Sequence, residues 1–185
     1  MVAEHDLLLV RRAKGGDRAA FEELARRHQD RIFAVARGVV GSPEDAADVT
    51  QETFIAVLRH IGTFHEGSLF TTWLHRIALR KAYDLVRRRV PEPVDAAGPA
   101  VTRIAARDGD PQGTGLASRD LLELVAALDP AFRDAVLLVD VAGLGVEEAA
   151  AALGVAPGTI KSRVFRGRAT LAQHLGTRGY GGASD

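Results

Sequence analysis

The most specific pattern in the chain is VEEAAAALGVAPGTIKSRV, at residues 146–164. Ala150, Gly154 and Ile160 stand four and six positions apart, which is the spacing that a helix-turn-helix requires. The small residue lies where two helices touch, the glycine forms the turn, and the apolar residue anchors the second helix, which Pro157 and Gly158 begin. The alternative is a small helical hairpin with a solvated basic side. We favour the helix-turn-helix.

Helical periodicity divides the second helix of this motif into an apolar side and a basic side. Ile160, Val164, Gly167 and Leu171 form the inward stripe. Polar side chains on a helix that enters the major groove can bond guanine edges and phosphates. The opposite side is therefore predicted to be a DNA-binding surface, called the recognition surface below. It consists of Thr159, Lys161, Ser162, Arg163, Arg166 and Arg168.

Helical periodicity continues through most of the chain, and no segment alternates apolar and polar residues over the length of a strand. Ser42, Pro43 and the acids that follow them give the clearest helix start. The sequence therefore predicts an all-α protein. Its predicted helices cover residues 5–14, 17 to near 38–41, 42 to about 61, about 70–89, 118–128, 131–141, 146–153 and about 158–175.

Residues 91–117 interrupt this pattern with four prolines and four glycines among 27 residues. A flexible coil of that length averages about 25–30 Å from end to end, at about 5–6 Å times the square root of its length. We therefore predict two small helical domains, residues 1–90 and 118–175, joined by a flexible linker at 91–117. The glycine-rich residues 176–185 are predicted to form a disordered tail.

Charge is unevenly distributed along the chain, although the formal net charge is zero. Residues 76–89 hold six cations against one acid, and residues 161–168 hold four cations against none. Residues 44–52 hold four acids and no cation. A chain with separate basic and acidic patches is expected to bind partners of both signs.

The predicted helix at 70–89 carries aromatic and basic side chains along one stripe. Trp73, Arg76, Arg80, Tyr83 and Arg87 follow one another at spacings of three and four. Single-stranded nucleic acid is bound by such combinations, because bases stack on the rings while the cations follow the backbone. The alternative is that the tryptophan is half-buried core and that the arginines are only solvated.

Asp45, Asp48 and Glu52 share one side of the predicted helix at 42–61, with Gln51 beside them. Three carboxylates could ligate a hard cation or act as an acid–base pair. No neighbouring histidine, phosphate-binding loop or nucleophile completes such a site, and the histidines of the chain lack metal-ligand spacing. We therefore predict a protein-docking surface here, with no metal site, no cofactor and no enzymatic activity.

The chain has no cysteine, which excludes disulfides and thiolate chemistry. Its apolar runs are too short to cross a bilayer, and its N-terminal residues include acids where a signal peptide needs cations. We expect a cytoplasmic protein without membrane insertion.

Four motifs together resemble the extracytoplasmic-function (ECF) group of bacterial RNA polymerase sigma factors. They are DAADVTQETF at 45–54, FTTWLHRIA at 70–78, DLVRR at 84–88 and GTIKSR at 158–163. Their order matches the group, and so does their division by the predicted linker. The resemblance implies that residues 1–90 are sigma region 2, that 118–175 are sigma region 4, and that the chain directs core polymerase to promoters.

The resemblance also implies a partner for each surface. The acidic helix would dock on the clamp helices of the polymerase β′ subunit, and region 4 would contact the β flap. The helix at 70–89 would recognise and open the promoter minus-10 element, while the recognition surface would read the minus-35 element. An anti-sigma factor is a further expected partner. The expected docking residues are Asp45, Asp48, Gln51 and Glu52, and the expected minus-10 residues are Phe64, Trp73, Arg76, Arg80, Lys81, Tyr83, Arg87 and Arg88.

Arg80 departs from the pattern of the group, because many members carry Asn four residues before the position of Asp84. Arg prefers a guanine edge or a phosphate, whereas Asn contacts adenine. The base preference at the minus-10 element is therefore expected to differ from that of the members that carry Asn.

The rival interpretation is a free-standing helix-turn-helix regulator that binds duplex operators as a dimer. Its first domain would be expected to carry a sensor pocket or a phosphoacceptor. The sequence shows instead an acidic helix followed by an aromatic and basic one.

Overall fold

The computed structural model describes residues 2–89 and 116–177, and all regular secondary structure within these ranges is helical. The all-α prediction is therefore confirmed. An N-terminal unit and a C-terminal unit each contribute four α-helices. The first unit contains α1 (Val2–Lys14), α2 (Arg18–Val40), α3 (Pro43–His60), the 3-10 turn Ile61–Thr63 and α4 (Phe70–Arg89); the second contains α5 (Leu116–Ala126), α6 (Pro130–Val136), the π-helical segment Leu137–Val141, α7 (Val146–Leu153) and α8 (Pro157–Thr177).

Local capping explains where α2 and α3 begin and end. The Asp17 carboxylate accepts a hydrogen bond from the Ala20 amide at 3.1 Å and so caps the start of α2. Gly41 ends α2 in the left-handed conformation, with φ of 78°, which glycine adopts without a steric penalty. The Ser42 hydroxyl then accepts from the Asp45 amide at 3.3 Å, so α3 begins where the sequence predicts it.

Some boundaries differ from the prediction. The helix predicted at 131–141 is α-helical only to Val136, because the Ala142 amide bonds the Leu137 carbonyl five residues back and widens the last turn. Backbone hydrogen bonding also makes 116–117 and 176–177 helical, which shortens the predicted linker and the predicted tail. The remainder of both segments, 90–115 and 178–185, lies outside the described residues.

The N-terminal unit buries two histidines beside its apolar core. His28 Nε2 lies 2.8 Å from the Asp6 carboxylate, and both side chains are almost fully enclosed. His75 Nδ1 donates to the Thr71 carbonyl at 2.8 Å. Burial lowers the pKa of His75 to about 4, so the ring is neutral at physiological pH.

The two units share one continuous apolar cluster. It joins Val39 of α2 and Leu79 of α4 to Leu124, Leu138 and Ile160 of the C-terminal unit. Gly38 lies where α2 meets the C-terminal unit, since a Cβ atom there would clash with the Leu137 side chain. The predicted linker would let the units separate, but in this structure they pack directly against each other.

Candidate nucleic-acid and polymerase interfaces

The helix-turn-helix has the geometry that its sequence predicts. Gly154 adopts the left-handed conformation with φ of 67°, and its amide bonds the Ala150 carbonyl at the end of α7. On α8, the predicted inward side chains Ile160, Val164 and Leu171 are all buried. The turn at Gly154 and the buried apolar side chains of α8 therefore hold this helix in place. Its basic side faces away from the core.

Most side chains of the recognition surface on α8 are exposed to solvent. Lys161, Ser162, Arg166 and Arg168 are exposed, whereas Thr159 and Arg163 are half-buried. Arg168 donates to the Asp140 carboxylate at 2.5 Å. Lys161 and Arg166 form no ion pair with any residue that the structure describes. The free cations are thus the ones best placed to meet a duplex.

Trp73 belongs to an aromatic cluster rather than to a free surface. Its ring centre lies 5.3 Å from that of Phe64 and 6.0 Å from that of Phe70. The alternative of a half-buried core tryptophan therefore describes the observed environment. Phe64 is only 2% exposed, so this expected minus-10 residue lies in the core and offers no ring face to a base in this conformation.

Side chains and backbone of the C-terminal unit occupy part of the predicted stripe on α4. Arg76 donates to the Ala151 and Ala152 carbonyls at the end of α7. The Tyr83 hydroxyl donates to Asp134 Oδ1 at 2.5 Å. Arg80 and Arg88 are exposed and form no ion pair within the described ranges. Only part of the stripe is therefore available to nucleic acid in this arrangement.

Two further cations of α4 are paired at the surface. Arg87 donates to Asp84 one turn earlier on the same helix. Lys81 lies 3.2 Å from Glu52 on α3, which places the predicted docking and minus-10 surfaces side by side. Exposed ion pairs of this kind contribute about 0–1 kcal/mol, so a polyanion or an acidic surface can replace them at little cost.

Three of the four residues predicted to form the acidic surface on α3 are exposed. Asp48, Gln51 and Glu52 are exposed, but Asp45 is 6% exposed and is ion-paired with Arg89. Asp45 is thus held inside the chain, because its position in the first turn of α3 faces the end of α4. We define Asp48, Gln51 and Glu52 as the docking surface. Among the residues that the structure describes, no three potential ligands lie close enough together to hold a metal ion.

Sequence reasoning missed the residues that join the two units. Arg133 is 7% exposed, and its Nη2 donates to the Tyr83 hydroxyl at 2.9 Å. Burial raises the pKa of Tyr83 and that of Asp134. Residues 120–148 are otherwise acidic, and Arg133 is their one cation. That isolated charge was the only sequence signal that could have pointed to a contact between the units. Nothing in the sequence distinguishes Asp134 from the other acids nearby.

Comparison with protein families finds matches to both units. Residues 24–91 match the Sigma-70 region 2 model, and residues 118–171 match the Sigma-70 region 4 model. In the described part of the chain, no helix is long and apolar enough to span a membrane.

Individual relatives agree with these matches. The ECF RNA polymerase sigma factor SigE of Mycolicibacterium smegmatis is 43% identical over 86% of this chain, which spans 64% of that protein. SigM of Mycobacterium tuberculosis, also an ECF sigma factor, is 36% identical over 87% of this chain and 80% of its own length.

Solved sigma-factor structures have the same architecture. CnrH, solved in complex with the cytosolic domain of CnrY, superposes with a TM-score of 0.73 at 29% identity, covering 94% of this chain and 98% of that one. The sigma factor RpoE, solved with the anti-sigma factor NepR from Bartonella quintana, gives a TM-score of 0.66 at 27% identity, covering 84% and 96%. This chain belongs to the ECF family of RNA polymerase sigma factors, which are promoter-specific initiation factors and not enzymes.

Proposed function

We propose that this chain binds core RNA polymerase through the docking surface on α3, and that it selects promoters through α4 and α8. The observation that carries the proposal is the separation of charge in the fold. Asp48 and Glu52 are exposed on α3, while α4 and α8 carry exposed cations that form no ion pair with any residue the structure describes. One partner of each sign fits this distribution, and a polymerase with its promoter supplies both.

The docking surface suits a basic partner helix. Asp48 and Glu52 stand one turn apart on α3 and project to solvent, with Gln51 beside them. Among the described residues Glu52 is ion-paired only with the half-buried Lys81, and this weak pair can be exchanged for a stronger intermolecular one. By analogy with the family, the partner would be the clamp helices of the β′ subunit.

The recognition surface suits duplex DNA. Arg166 is exposed on α8 and free to form a bidentate contact to guanine, the commonest specific contact in the major groove. Lys161 and Ser162 flank it toward the start of the helix, where a recognition helix meets base edges. We assign this surface to the minus-35 element, and the remaining surface of region 4 to the β flap.

The α4 surface suits a separated DNA strand. Arg80 and Arg88 are exposed, and the paired cations Lys81 and Arg87 can exchange their carboxylates for phosphates. Trp73 and Tyr83 are half-buried, and Trp73 packs against Phe64, so in this arrangement the rings lie at the edge of the surface and the cations carry the assignment. We assign this surface, together with Arg76, to recognition and opening of the minus-10 element.

Reversal of the docking charges tests the polymerase part of the proposal. Asp48→Lys with Glu52→Lys should abolish co-purification with core polymerase while the circular dichroism spectrum and melting temperature stay unchanged, because exposed substitutions cost about 0.5 kcal/mol or less. Glu22→Lys with Asp30→Lys is the matched control, since it makes the same change in net charge at exposed positions of α2. Equal retention of both double variants would contradict the proposal.

We further propose that the chain is cytoplasmic and is held inactive by an anti-sigma factor. The support is the likeness to RpoE, which was solved with such a factor bound. Affinity capture from the source cells, before and after stress, tests this proposal. Recovery of polymerase subunits with no additional partner under every condition would contradict it.

A further inference from the structure

Residues 61–69 connect α3 to α4 and are called the α3–α4 loop below. Ile61 and Phe64 are its buried anchors, whereas all of residues 65–69 are exposed. The Phe64 amide donates to the Ile61 carbonyl at 3.1 Å and closes the 3-10 turn, while residues 65–69 add one longer backbone hydrogen bond, of 3.4 Å. Few internal bonds therefore fix the exposed half of the loop, so contacts from other elements decide where it lies.

Two cations in the last turn of α1 supply such contacts. The Arg11 guanidinium donates to both carboxylate oxygens of Glu66, from Nε at 2.8 Å and from Nη2 at 2.6 Å. Lys14 Nζ donates to the Phe64 carbonyl at 2.5 Å and lies 5.6 Å from the centre of the Phe64 ring. A bidentate pair fixes orientation as well as distance. The end of α1 therefore holds the loop at two points.

The helix that supplies these cations is itself firmly held. Asp6 lies 2.8 Å from His28 Nε2 of α2, and both side chains are buried. Val10 is fully buried in the same apolar cluster as Phe64. Side chains that are locked by packing can hold a neighbouring group precisely. For the loop, α1 is thus a rigid support and not a mobile arm.

The position of the loop also affects α4. The Phe64 ring centre lies 5.9 Å from that of Phe70, the first residue of α4, and 5.3 Å from that of Trp73. A shift of Phe64 would therefore move Trp73 together with the loop. Phe64 and Trp73 both belong to the residues expected at the minus-10 element.

We propose that Arg11 and Lys14 are positioning residues for minus-10 recognition, because they hold the α3–α4 loop against α4 in one conformation. They thereby set how sharply the separated strand is discriminated by its sequence, and neither cation has to touch DNA. The inference rests on the proposed role of α4 and the loop before it at the minus-10 element. A loop already in its binding conformation loses less entropy on binding and accommodates a wrong base less easily.

An exchange of charges tests the contact of Arg11 with the loop. Arg11→Glu alone breaks the ion pair and places two carboxylates side by side. Arg11→Glu with Glu66→Arg restores the pair in the opposite sense and keeps the parental net charge. Arg12→Glu is the matched control, because it breaks another exposed ion pair of α1, whose partner Asp17 lies outside the loop.

The probe is forked DNA with a single-stranded non-template overhang that is randomised across the minus-10 positions. Holoenzyme assembled from the full chain and core polymerase binds it at low salt, and sequencing of the bound fraction gives the enrichment of the preferred base at each position. We expect Arg11→Glu to lower this enrichment by about threefold to fivefold at one position or more; fivefold corresponds to about 1 kcal/mol, the upper range for an exposed pair. The double variant should return to within about twofold of the parent, because the restored pair again holds the loop. A general charge effect weakens all sequences alike and cancels in the enrichment.

Three results would overturn the inference. They are equal enrichment for the parent and Arg11→Glu, a double variant as poor as the single one, and an equal loss in Arg12→Glu. Arg80→Ala in the same assay tests the proposed function separately. A loss for Arg80→Ala without one for Arg11→Glu would overturn the inference and leave the role of α4 intact, whereas no enrichment in the parent would overturn both.

Lys14 gives a second test of the same support. Lys14→Gln removes the cation beside the Phe64 ring and carbonyl, while Lys14→Arg keeps both a charge and a donor there. Trp73 is the only tryptophan and packs against Phe64, so acrylamide quenching of its fluorescence reports whether this anchor has loosened. We expect stronger quenching and about threefold lower enrichment in Lys14→Gln, with parental values in Lys14→Arg. Parental quenching and enrichment in Lys14→Gln would overturn the role of Lys14.

Discussion

Acidification should destabilise the N-terminal unit through His75. The ring is 1% exposed, its Nδ1 proton is donated to Thr71, and its Nε2 has no hydrogen-bond partner within the described residues. Protonation would place a charge in the core, near His28 and Arg31, so burial and these neighbours lower the pKa of His75 from 6.5 to about 4. The Thr71 carbonyl opposes this shift only in part.

The sign and size of the effect follow from these two pKa values. Between pH 6.5 and 4 the unfolded state binds the proton and the folded state does not, so the free energy of unfolding falls as the pH falls. The loss is about 2 kcal/mol at pH 5 and about 3 kcal/mol below pH 4, since one pKa unit corresponds to about 1.4 kcal/mol. The full contribution is present above pH 6.5.

Urea unfolding followed by Trp73 fluorescence at pH 8 and pH 5 measures this loss in the N-terminal unit. The parent should lose about 2 kcal/mol more than His75→Phe over this interval, because the variant has no proton to gain there. His65→Phe removes an exposed histidine and should behave as the parent does. The protonation of ion-paired carboxylates between pH 8 and pH 5 contributes equally in all three proteins, so it cancels in the comparison. Parallel losses in the parent and His75→Phe would refute the assignment of a buried neutral His75.

Two substitutions in the proposed DNA-binding surfaces give further predictions. Arg166→Ala should weaken binding to a minus-35 duplex by about 1–3 kcal/mol and relax discrimination at one base pair, as measured by anisotropy on single-base variants; undiminished discrimination would exclude a base contact. Arg80→Asn should retain transcription but change the preferred base at one minus-10 position, as seen by permanganate footprinting of promoter variants. Uniform weakening at every sequence would mean that Arg80 contacts only phosphate.

The sequence alone determined the helices and the motif that they form. Short-range signals set the start of α3 at Ser42 and Pro43, the turn at Gly154 and the buried stripe of Ile160 and Val164 on α8. These features depend on residues one or two turns apart, so their physics is contained in the local sequence. The same signals assigned the acidic stretch to α3, the aromatic and basic stretch to α4 and the second basic stretch to α8.

Only the tertiary structure decided which members of those surfaces are free. Asp45 and Asp48 look equivalent on α3, but the end of α4 brings Arg89 to Asp45 and leaves Asp48 exposed. Phe64 lies in the predicted loop, yet its ring fills the core against Phe70 and Trp73. The Asp45 ion pair joins residues 44 positions apart, and the Phe64 packing depends on how a loop folds back onto the next helix; helical periodicity relates neither.

The arrangement of the two units was likewise undetermined by the sequence. Tyr83 and Asp134 are 51 positions apart and are separated by a stretch without helical periodicity, so no local pattern indicates their contact. Gly38 was visible only as a glycine near the end of a helix. Its function became apparent once Leu137 was found against it, because packing between distant surfaces is set by shape complementarity in three dimensions.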